Sequence, residues 1–189
     1  MQIDKVLKFL HVAEKLKCNT RHSWTSNGRR ESVAEHTFRL MVFAWLLRDE
    51  FPELDMDRVM QMCLFHDFGE AVTGDIPAFE KTAEDEKIEE TAVDGLLGKL
   101  PDRQKKELTA LFAEMEERKT PEAKLYKALD KLEALIQHNE ADISTWLPLE
   151  YDLQFTYGKE ETDVFPYIKE FRRIVDEWTK QKIEGAASK

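Results

Sequence analysis

The chain has 189 residues and a mass of 22.2 kDa, a size that predicts a single domain over residues 1–189 around one core. Its 28 Lys and Arg against 38 Asp and Glu give a formal net charge of -10, which argues against binding a nucleic-acid polymer because like charges repel. Glycine (7) and proline (6) are scarce and 35% of the residues are charged, which excludes collagen-like, low-complexity and disordered chains and favours long, solvent-exposed helices.

The first third of the sequence predicts two helices joined by a loop. Residues 3–17 place apolar side chains at helical spacing with lysines between them, the pattern of an amphipathic helix. The stretch 19–31 has no apolar period and contains several arginines, so we predict a long, locally basic loop, and loops of this length often carry function. The motif 32–35 (Ser-Val-Ala-Glu) is a capping box. Apolar residues surround the helix that follows, 38–51, so fully that we predict it to be central and mostly buried, with Pro52 ending it.

The rest of the chain also follows a helical period. A helix over 56–68 breaks at Gly69 and gives way to a loop over 70–77. Further stripes follow: Ile88 to Leu100, Leu108 to Met115, Leu125 to Ile136 after a start at Pro121, and a heptad-like run ending at Trp178 before a tail, about 184–189, that should be frayed. No strand pair is predicted. The fold class is all-α, a bundle of six to eight helices without significant sheet.

Location is predicted from the cysteines and from the apolar runs. Cys18 and Cys63 form no CxxC pair and no disulfide-type framework, a usage that fits a reducing compartment. The longest strongly apolar run, 40–47, is far shorter than the ~20 residues of a membrane span, and the N-terminus is too charged for a signal peptide. We therefore expect a soluble, cytoplasmic protein without a membrane partner.

Four residues stand out as candidate metal ligands. His36 lies on the apolar face of its predicted helix, and His66 continues another apolar stripe and is followed at once by Asp67. Asp130 lies off the centre of the leucine stripe, so its burial is less strongly predicted. Singly, each histidine is better explained as a hydrogen-bonded core residue, and Asp130 as the ion-pair partner of a nearby lysine. Together they form an N2O2 set suited to one divalent ion, Mn, Co, Fe or Zn.

The order of these residues carries a family resemblance. A histidine (His36), a His-Asp doublet (His66 and Asp67) and a final aspartate (Asp130), each on a helix, resemble the HD-domain phosphohydrolase superfamily. The segments 31–36 (Glu-Ser-Val-Ala-Glu-His), 66–70 (His-Asp-Phe-Gly-Glu) and 73–77 (Thr-Gly-Asp-Ile-Pro) are similar to the subgroup of bacterial 5'-deoxynucleotidases and their eukaryotic HD-domain relatives. The resemblance implies the HD-domain helical fold and a single metal held by the four residues, because no histidine lies between Asp67 and Asp130 to support a second one.

The resemblance also implies roles outside the metal site. Glu70 and Asp75 are similar to the family's acid/base carboxylates, and which of them is the acid stays open. Arg21 resembles the arginine that binds the substrate phosphate, with Arg29 and Arg30 as competitors for that role. Trp24 could cover the sugar. The bacterial enzymes have Arg and Trp as neighbours, whereas this chain reads Arg-His-Ser-Trp over 21–24, nearer the eukaryotic relatives, which leaves deoxy against ribo selectivity open.

The function implied is metal-dependent removal of the 5'-phosphate from a small nucleotide, above all a deoxyribonucleoside monophosphate. Two alternatives remain at this point. The first is an HD hydrolase of nucleoside triphosphates or of an alarmone, and the second is a metal- or nucleotide-binding regulator without turnover. The sequence also allows a homodimer through the apolar stripe that ends at Trp178. His11 and His138 are predicted to be ordinary surface or helix-end residues, and His22 to lie close to Arg21.

Overall fold

The structure is a computed structural model, and it describes residues 3–187 of the chain. It is 72% helical. Within the described residues it contains 8 helices of seven residues or more, two single helical turns and one two-stranded sheet, so the all-α prediction is confirmed. The elements are α1 (Ile3–Cys18), β1 (Thr20–Trp24), β2 (Arg30–Ser32), α2 (Val33–Leu46), α3 (Met56–Phe65), α4 (Glu70–Thr73), α5 (Ala83–Leu97), α6 (Asp102–Glu117), α7 (Pro121–Glu140), α8 (Glu150–Thr156), α9 (Lys159–Thr162) and α10 (Pro166–Ala187), with 3-10 turns at Arg48–Glu50 and Ile143–Thr145.

Helix α7 forms the centre of the molecule. It begins as predicted with Pro121 in its first turn, and the Thr120 hydroxyl accepts a hydrogen bond from the Ala123 N–H at 3.2 Å. Its leucine stripe is buried against α2, α3 and α10. Because α2 and α3 also pack on each other, the three helices hold the inward side chains of each at fixed separations. This packing positions the candidate site.

The stretch predicted as a loop over 19–31 is a β-hairpin, so the expectation of no strand pair is wrong here. Strands β1 and β2 are antiparallel, with Thr20 opposite Ser32 and Trp24 opposite Arg30. The turn between them closes with a 3.0 Å bond from the Gly28 N–H to the Thr25 carbonyl, and Gly28 takes a φ of 83° that favours glycine. The hairpin packs on α7. Apolar and polar residues do not alternate along the two strands of the hairpin, so the sequence pattern did not predict strands.

Helix α2 matches its predicted start but not its predicted burial. The capping box is formed, since the Ser32 hydroxyl accepts from the Glu35 N–H at 3.3 Å and the Glu35 carboxylate accepts from the Ser32 N–H at 2.9 Å. The helix ends at Leu46, before the predicted 51. One face is buried in the core as expected, but the opposite face, which includes Phe38 and Trp45, is exposed. The prediction of a mostly buried helix is therefore wrong for that face.

The remaining differences concern segment ends and two short helices that were not predicted, α8 and α9. The predicted loop 70–77 begins with the single turn α4. The last helix continues to Ala187, through residues predicted to be frayed, while Ser188 and Lys189 lie outside the described residues. No helix within 3–187 combines the length and the apolar character needed to cross a bilayer.

Candidate functional site

Three helices bring the four predicted metal ligands together. His36 lies on the buried face of α2, His66 caps the C-terminus of α3 with Asp67 directly after it, and Asp130 lies on α7. The imidazole of His36 is fully buried, and Asp130, whose burial the sequence left less certain, is buried too. The inward orientation of both histidines agrees with their helical spacing. Each is held in place by the packing of the core.

The ligand atoms of these side chains lie close together. The Nε2 atoms of His36 and His66 are 3.2 Å apart. Asp67 Oδ2 lies 3.0 Å from His66 Nε2 and 3.8 Å from His36 Nε2. Asp130 Oδ1 lies 3.2 Å from His36 Nε2 and 3.6 Å from His66 Nε2. Each carboxylate oxygen is thus within 3.8 Å of both histidine nitrogens.

This donor set fits a divalent ion. Ligand atoms at about 2.1 Å from one cation lie roughly 3.0–3.4 Å from one another, which is close to the separations found here. Two imidazoles and two carboxylates suit a borderline first-row ion, and four protein ligands leave positions for water or substrate in an octahedral shell. His36, His66 and Asp67 also form a compact cluster of ligand atoms that lie within 4.8 Å of one another.

The second nitrogen of each histidine is engaged elsewhere. His66 Nδ1 lies 2.9 Å from the Cys63 carbonyl oxygen, and His36 Nδ1 is bonded to a carboxylate oxygen of Glu133. Because a carbonyl accepts only from an N–H, Nδ1 carries the proton in His66 and Nε2 is free to bind a metal. Glu133 is itself buried and held by Arg39, whose Nε lies 2.6 Å from its other oxygen. The chain Arg39, Glu133 and His36 fixes the orientation of one ligand.

Asp130 is oriented by an ion pair on its own helix. Lys127 Nζ lies 2.8 Å from Asp130 Oδ2, while Oδ1 faces the two histidines. The ion pair considered from sequence as an alternative to ligation therefore exists beside the ligand geometry, since the two oxygens of one carboxylate serve the two purposes. It leaves a single oxygen of Asp130 for the ion.

In this cluster, histidines and carboxylates of opposite charge lie close together in a buried environment. Burial lowers the pKa of His66, but Asp67 and Asp130 outweigh it and raise that pKa to about 10. Burial raises the pKa of Asp67, but His66, His36 and Arg21 hold it well below its usual range. Without a cation His66 is thus a protonated partner of the two carboxylates. A cation would replace that proton.

We predict that Glu133→Gln weakens metal binding by about 10–100-fold, the usual cost of losing a carboxylate that orients a ligating histidine. Glutamine keeps the shape of the side chain but not its negative charge. The measurement is calorimetric titration of the metal-free protein with Mn or Co. Glu140→Gln is the matched control because Glu140, about two turns further along α7, also pairs with Arg39 and does not touch His36. Equal losses in the two variants would show that Glu133 acts only through Arg39.

Arg21 lies at the edge of the metal cluster. Its side chain is only 14% exposed, Nε lies 3.8 Å from Glu31 and Nη1 lies 3.8 Å from Asp67 Oδ2. Nη1 is buried without a hydrogen-bond acceptor. Burial lowers the pKa of Arg21, but Asp67, Glu133 and Glu31 together raise it, so the group stays cationic. A buried donor without a partner next to a metal cluster is suited to bind an anionic oxygen.

We predict that Arg21→Ala lowers kcat/KM for phosphate release from a nucleotide by about 100-fold. The reason is that a charge-assisted hydrogen bond contributes roughly 1.5–3 kcal/mol. Arg21→Lys should recover part of the loss, since lysine keeps the charge but not the planar fork. Arg29→Ala is the control, because Arg29 pairs with Glu35 on the exposed side of α2 at 2.6 Å. Steady-state kinetics with thermal melts for each variant provide the check. If Arg29→Ala lowered kcat/KM as much as Arg21→Ala, the loss would not be specific to Arg21 and the anion-binding role of Arg21 would be contradicted.

The two predicted acid/base carboxylates also lie near the cluster. Glu70 in α4 is 6% exposed, and one of its oxygens is buried without a partner. Burial, and then Asp67 and Asp75, raise the pKa of Glu70 to about 10. Burial likewise raises the pKa of Asp75, with Asp67 adding to it, while Arg21 and a backbone hydrogen bond from His22 act in the opposite direction. Both groups are thus more readily protonated than ordinary carboxyls.

A cleft of about 600 Å³, measured with its open mouth, begins at Arg21 and Asp75. Its lining includes the apolar side chains Phe79, Leu135 and Leu153 and several polar ones. His22, one of the polar residues, has its Nε2 2.8 Å from Glu150 Oε1 and meets the Phe79 ring edge-on at 5.4 Å. The cleft combines apolar side chains with a few polar groups, the usual lining of a small-molecule site. It opens directly from the anion-binding arginine.

Some sequence predictions about this region need correction. Trp24 is not among the described residues that line the cleft: its ring lies 4.3 Å from the Arg30 guanidinium, and its carbonyl accepts from Gln137 Nε2 at 2.6 Å. Its carbonyl ties the hairpin to α7, and the predicted contact of its ring with the sugar stays a prediction. His138, expected to be an ordinary helix-end residue, is buried and lines the cleft.

Sequence reasoning missed Glu133 and Glu150. Glu133 lies one turn after Asp130 and four residues after the buried Leu129, so an acidic residue at a core-facing position was the available signal. Glu150 gave no such signal, because it begins the short helix α8 and is buried only by tertiary packing. Arg29 and Arg30, the competing phosphate ligands, are engaged by Glu35 and by the His22 carbonyl.

The chain is similar to one family profile, to named proteins and to a solved crystal structure. The sequence profile of the family described as HD domain matches residues 13–172. The human protein named 5'-deoxynucleotidase HDDC2 is 34% identical over 139 residues, which cover 71% of this chain and 67% of the human protein. The Schizosaccharomyces pombe protein named 5'-deoxynucleotidase hdd1 is 31% identical over 159 residues, 75% of this chain and 79% of that protein. A crystal structure from Magnetospirillum magnetotacticum, described as a "predicted metal-dependent phosphohydrolase", matches with a TM-score of 0.79 at 28% identity, over 95% of this chain and 93% of that one.

Proposed function

This chain belongs to the HD domain family, and we propose that it is a metal-dependent 5'-deoxynucleotidase that hydrolyses deoxyribonucleoside 5'-monophosphates to deoxynucleoside and phosphate. The observation that carries the proposal is the convergence of four metal-ligand atoms beside a buried arginine donor without a partner. The names of the relatives support a nucleotidase over a hydrolase of triphosphates or of an alarmone.

His36, His66, Asp67 and Asp130 would hold one divalent ion, Co, Mn, Fe or Zn. When bound, the ion would supply Lewis-acid chemistry, by making a water more acidic and by offsetting charge on a phosphate oxygen. Glu133 and Lys127 would keep His36 and Asp130 in their ligating orientations. The family match and the donor set support this assignment, and the choice of metal follows only from the softness of the ligands.

The protein's own groups supply substrate binding and proton transfer. Arg21 binds the phosphate and holds it against the ligand cluster, while the nucleoside occupies the cleft that leads away from Arg21. In the reaction the water oxygen bonds to phosphorus, the bond from phosphorus to the 5'-oxygen breaks, and that oxygen takes the leaving electron pair and a proton. Glu70 and Asp75 would give and accept the protons, one in each role, and the raised pKa values of both carboxyls support this assignment.

Further parts of the proposal rest on composition and exposure. The net charge of -10 supports a small nucleotide as partner and not a nucleic-acid polymer. The cysteine usage supports a cytoplasmic location, and the family match over most of the chain supports a single HD domain. A homodimer also belongs to the proposal, because several large apolar side chains, Trp178 among them, are exposed.

The test is phosphate release from a panel of deoxy- and ribonucleoside mono- and triphosphates, with Co, with Mn and with EDTA. We expect release from the deoxyribonucleoside monophosphates, loss of that release with EDTA, and recovery when metal is restored. Phosphate release from triphosphates alone would show that the substrates are triphosphates and not monophosphates. If no member of the panel released phosphate while metal was demonstrably bound, the enzymatic proposal would be contradicted and a regulator favoured.

A further inference from the structure

A buried polar group in the cleft has no part in the steps proposed above. It consists of the Glu150 carboxylate in α8 and two imidazoles, those of His22 in β1 and His138 in α7. Glu150 Oε1 lies 2.8 Å from His22 Nε2, and Glu150 Oε2 lies 3.5 Å from His138 Nε2. All three residues line the cleft, and we call them the distal group.

The distal group lies away from the metal cluster along helix α7. Asp130 and His138 are both on this helix, and the eight residues from 130 to 138 advance roughly 12 Å along its axis. Ala134, midway between them and close to the same side of the helix, also lines the cleft. The cleft therefore follows α7 from the candidate metal site to the distal group, over a distance comparable to the length of a nucleoside monophosphate.

The packing behind the distal group fixes its position. The His138 ring stacks on Trp146 with centroids 4.4 Å apart, and Trp146 Nε1 donates to the His138 carbonyl at 3.1 Å. Glu150 is 5% exposed, and its Oε2 accepts a hydrogen bond from the Leu147 N–H. A carboxylate held in this way is pre-organised to bind a donor at its other oxygen.

The distal group retains unused hydrogen-bonding capacity. Within residues 3–187, the Nε2 atoms of His22 and His138 are buried and make no aligned hydrogen bond, although both lie near Glu150. Burial raises the pKa of Glu150, but His138 and the Leu147 N–H outweigh it and lower that pKa below its usual range. Glu150 is therefore an anion, which can accept hydrogen bonds but not donate them. Buried polar groups usually have a partner, and a ligand in the cleft would supply one.

The base is the part of a nucleotide that would reach the distal group. With the phosphate at Arg21, the sugar comes next and the base lies furthest along the cleft, where Leu135 and Leu153 offer apolar surface to its faces. Cytosine and adenine carry an exocyclic amino group that donates to a carboxylate. Thymine and uracil carry a carbonyl oxygen at that place, which a carboxylate repels.

We propose that Glu150 is a base-recognition residue, which accepts a hydrogen bond from the exocyclic amino group of cytosine or adenine and disfavours thymine and uracil. The inference rests on the proposed nucleotidase function, since it takes the cleft as the site of the nucleoside. His22 and His138, one beside each oxygen of the carboxylate, hold Glu150 in place. The distal group thus sets the base preference and takes no part in the bond changes at phosphorus.

The test compares dCMP with dUMP, which differ at one edge of the base, where dUMP has a carbonyl oxygen in place of the amino group and a protonated ring nitrogen. Calorimetric titration of the metal-free protein in EDTA measures binding without hydrolysis. Steady-state kinetics with metal gives kcat/KM for the same two nucleotides. We expect the unmodified protein to prefer dCMP by about 10-fold in both measurements, the usual discrimination of a well-formed base contact.

Glu150→Gln is expected to remove or reverse this preference, because glutamine keeps the shape of the side chain and adds an amide N–H that suits the carbonyl oxygen of uracil. Asp152→Asn is the matched control, since Asp152 is an exposed acidic residue in the same first turn of α8. It should keep the preference for dCMP. Thermal melts check the folding of both variants, and the comparison in the unmodified protein depends on neither.

Equal affinity of the unmodified protein for dCMP and dUMP would overturn the proposal, as would binding of neither nucleotide or a preference that survives in folded Glu150→Gln. The two measurements distinguish this failure from a failure of the proposed function. A protein that prefers dCMP in the titration but releases no phosphate has the base site without the nucleotidase activity. A protein that binds and hydrolyses both nucleotides equally well has the activity without the base site.

Discussion

Asp67→Ala is expected to abolish metal-dependent phosphate release, with a loss on the order of 10³-fold or more, because a catalytic metal contributes several kcal/mol of transition-state stabilisation. Asp67 Oδ2 lies 3.0 Å from His66 Nε2 and 3.8 Å from both His36 Nε2 and Arg21 Nη1. Its removal takes away one ligand and one of the negative charges that hold the cation. The bound metal, measured by elemental analysis after dialysis, should fall together with the activity.

The variant also removes an ion-pair partner of His66 and Arg21, so a thermal melt is needed beside the kinetics. Asp57→Ala is the matched control, since Asp57 is an exposed aspartate in the first turn of α3, the helix that ends next to Asp67. It should keep full activity and metal content. If a folded Asp67→Ala protein retained its metal and its turnover, the proposed metal centre would be in the wrong place.

Glu70→Gln is expected to lower kcat by about 10²–10⁴-fold, the usual contribution of a general acid or base, while metal affinity stays unchanged. Glutamine is nearly the same shape and cannot transfer a proton. Glu70 is buried close to Asp67 and Asp75, and one of its oxygens has no hydrogen-bond partner among the described residues. The measurements are single-turnover hydrolysis and calorimetric metal titration on the same preparation.

This result separates the enzyme from a regulator without turnover. A protein that only senses metal or nucleotide has no need of a proton-transferring carboxyl, so its binding would be indifferent to Glu70→Gln and it would show no hydrolysis to lose. Glu80→Gln, an exposed position ten residues further on, is the control. A loss of metal affinity in Glu70→Gln would instead make Glu70 part of the metal site, and unchanged kcat would remove it from the mechanism.

Much of the fold could be predicted because helix formation depends on the spacing of apolar residues that are close together in the sequence. The periodic stripes on α1, α3, α7 and α10 and the capping box before α2 each depend on residues at most a few turns apart. The inward direction of His36 and His66 followed from the same spacing. The residue types of His36, His66, Asp67 and Asp130 suggested one donor set, and the family resemblance supported that grouping. Their assignment as ligands stays a proposal, which the measurements on Asp67 and Glu133 test.

The hairpin and the contacts of Trp24 could not be predicted in this way. The hairpin depends on a turn at Gly28 and on packing against α7, and its strands lack the alternation that marks a half-buried sheet. The contact of the Trp24 ring with Arg30 joins opposite residues of the two strands, so it depends on a strand pairing that residue spacing did not reveal.

The sequence by itself determined the long helices, the fold class and the inward direction of His36 and His66, because each of these depends on the burial of apolar residues at a fixed local period. Only the tertiary structure decided that Glu133 meets His36 across 97 residues of chain, that Arg21 lies 3.8 Å from Asp67, and that one face of α2 stays exposed. Those facts depend on how separate helices pack. A local pattern states that a residue is buried, whereas its partner is chosen by the whole arrangement of the core.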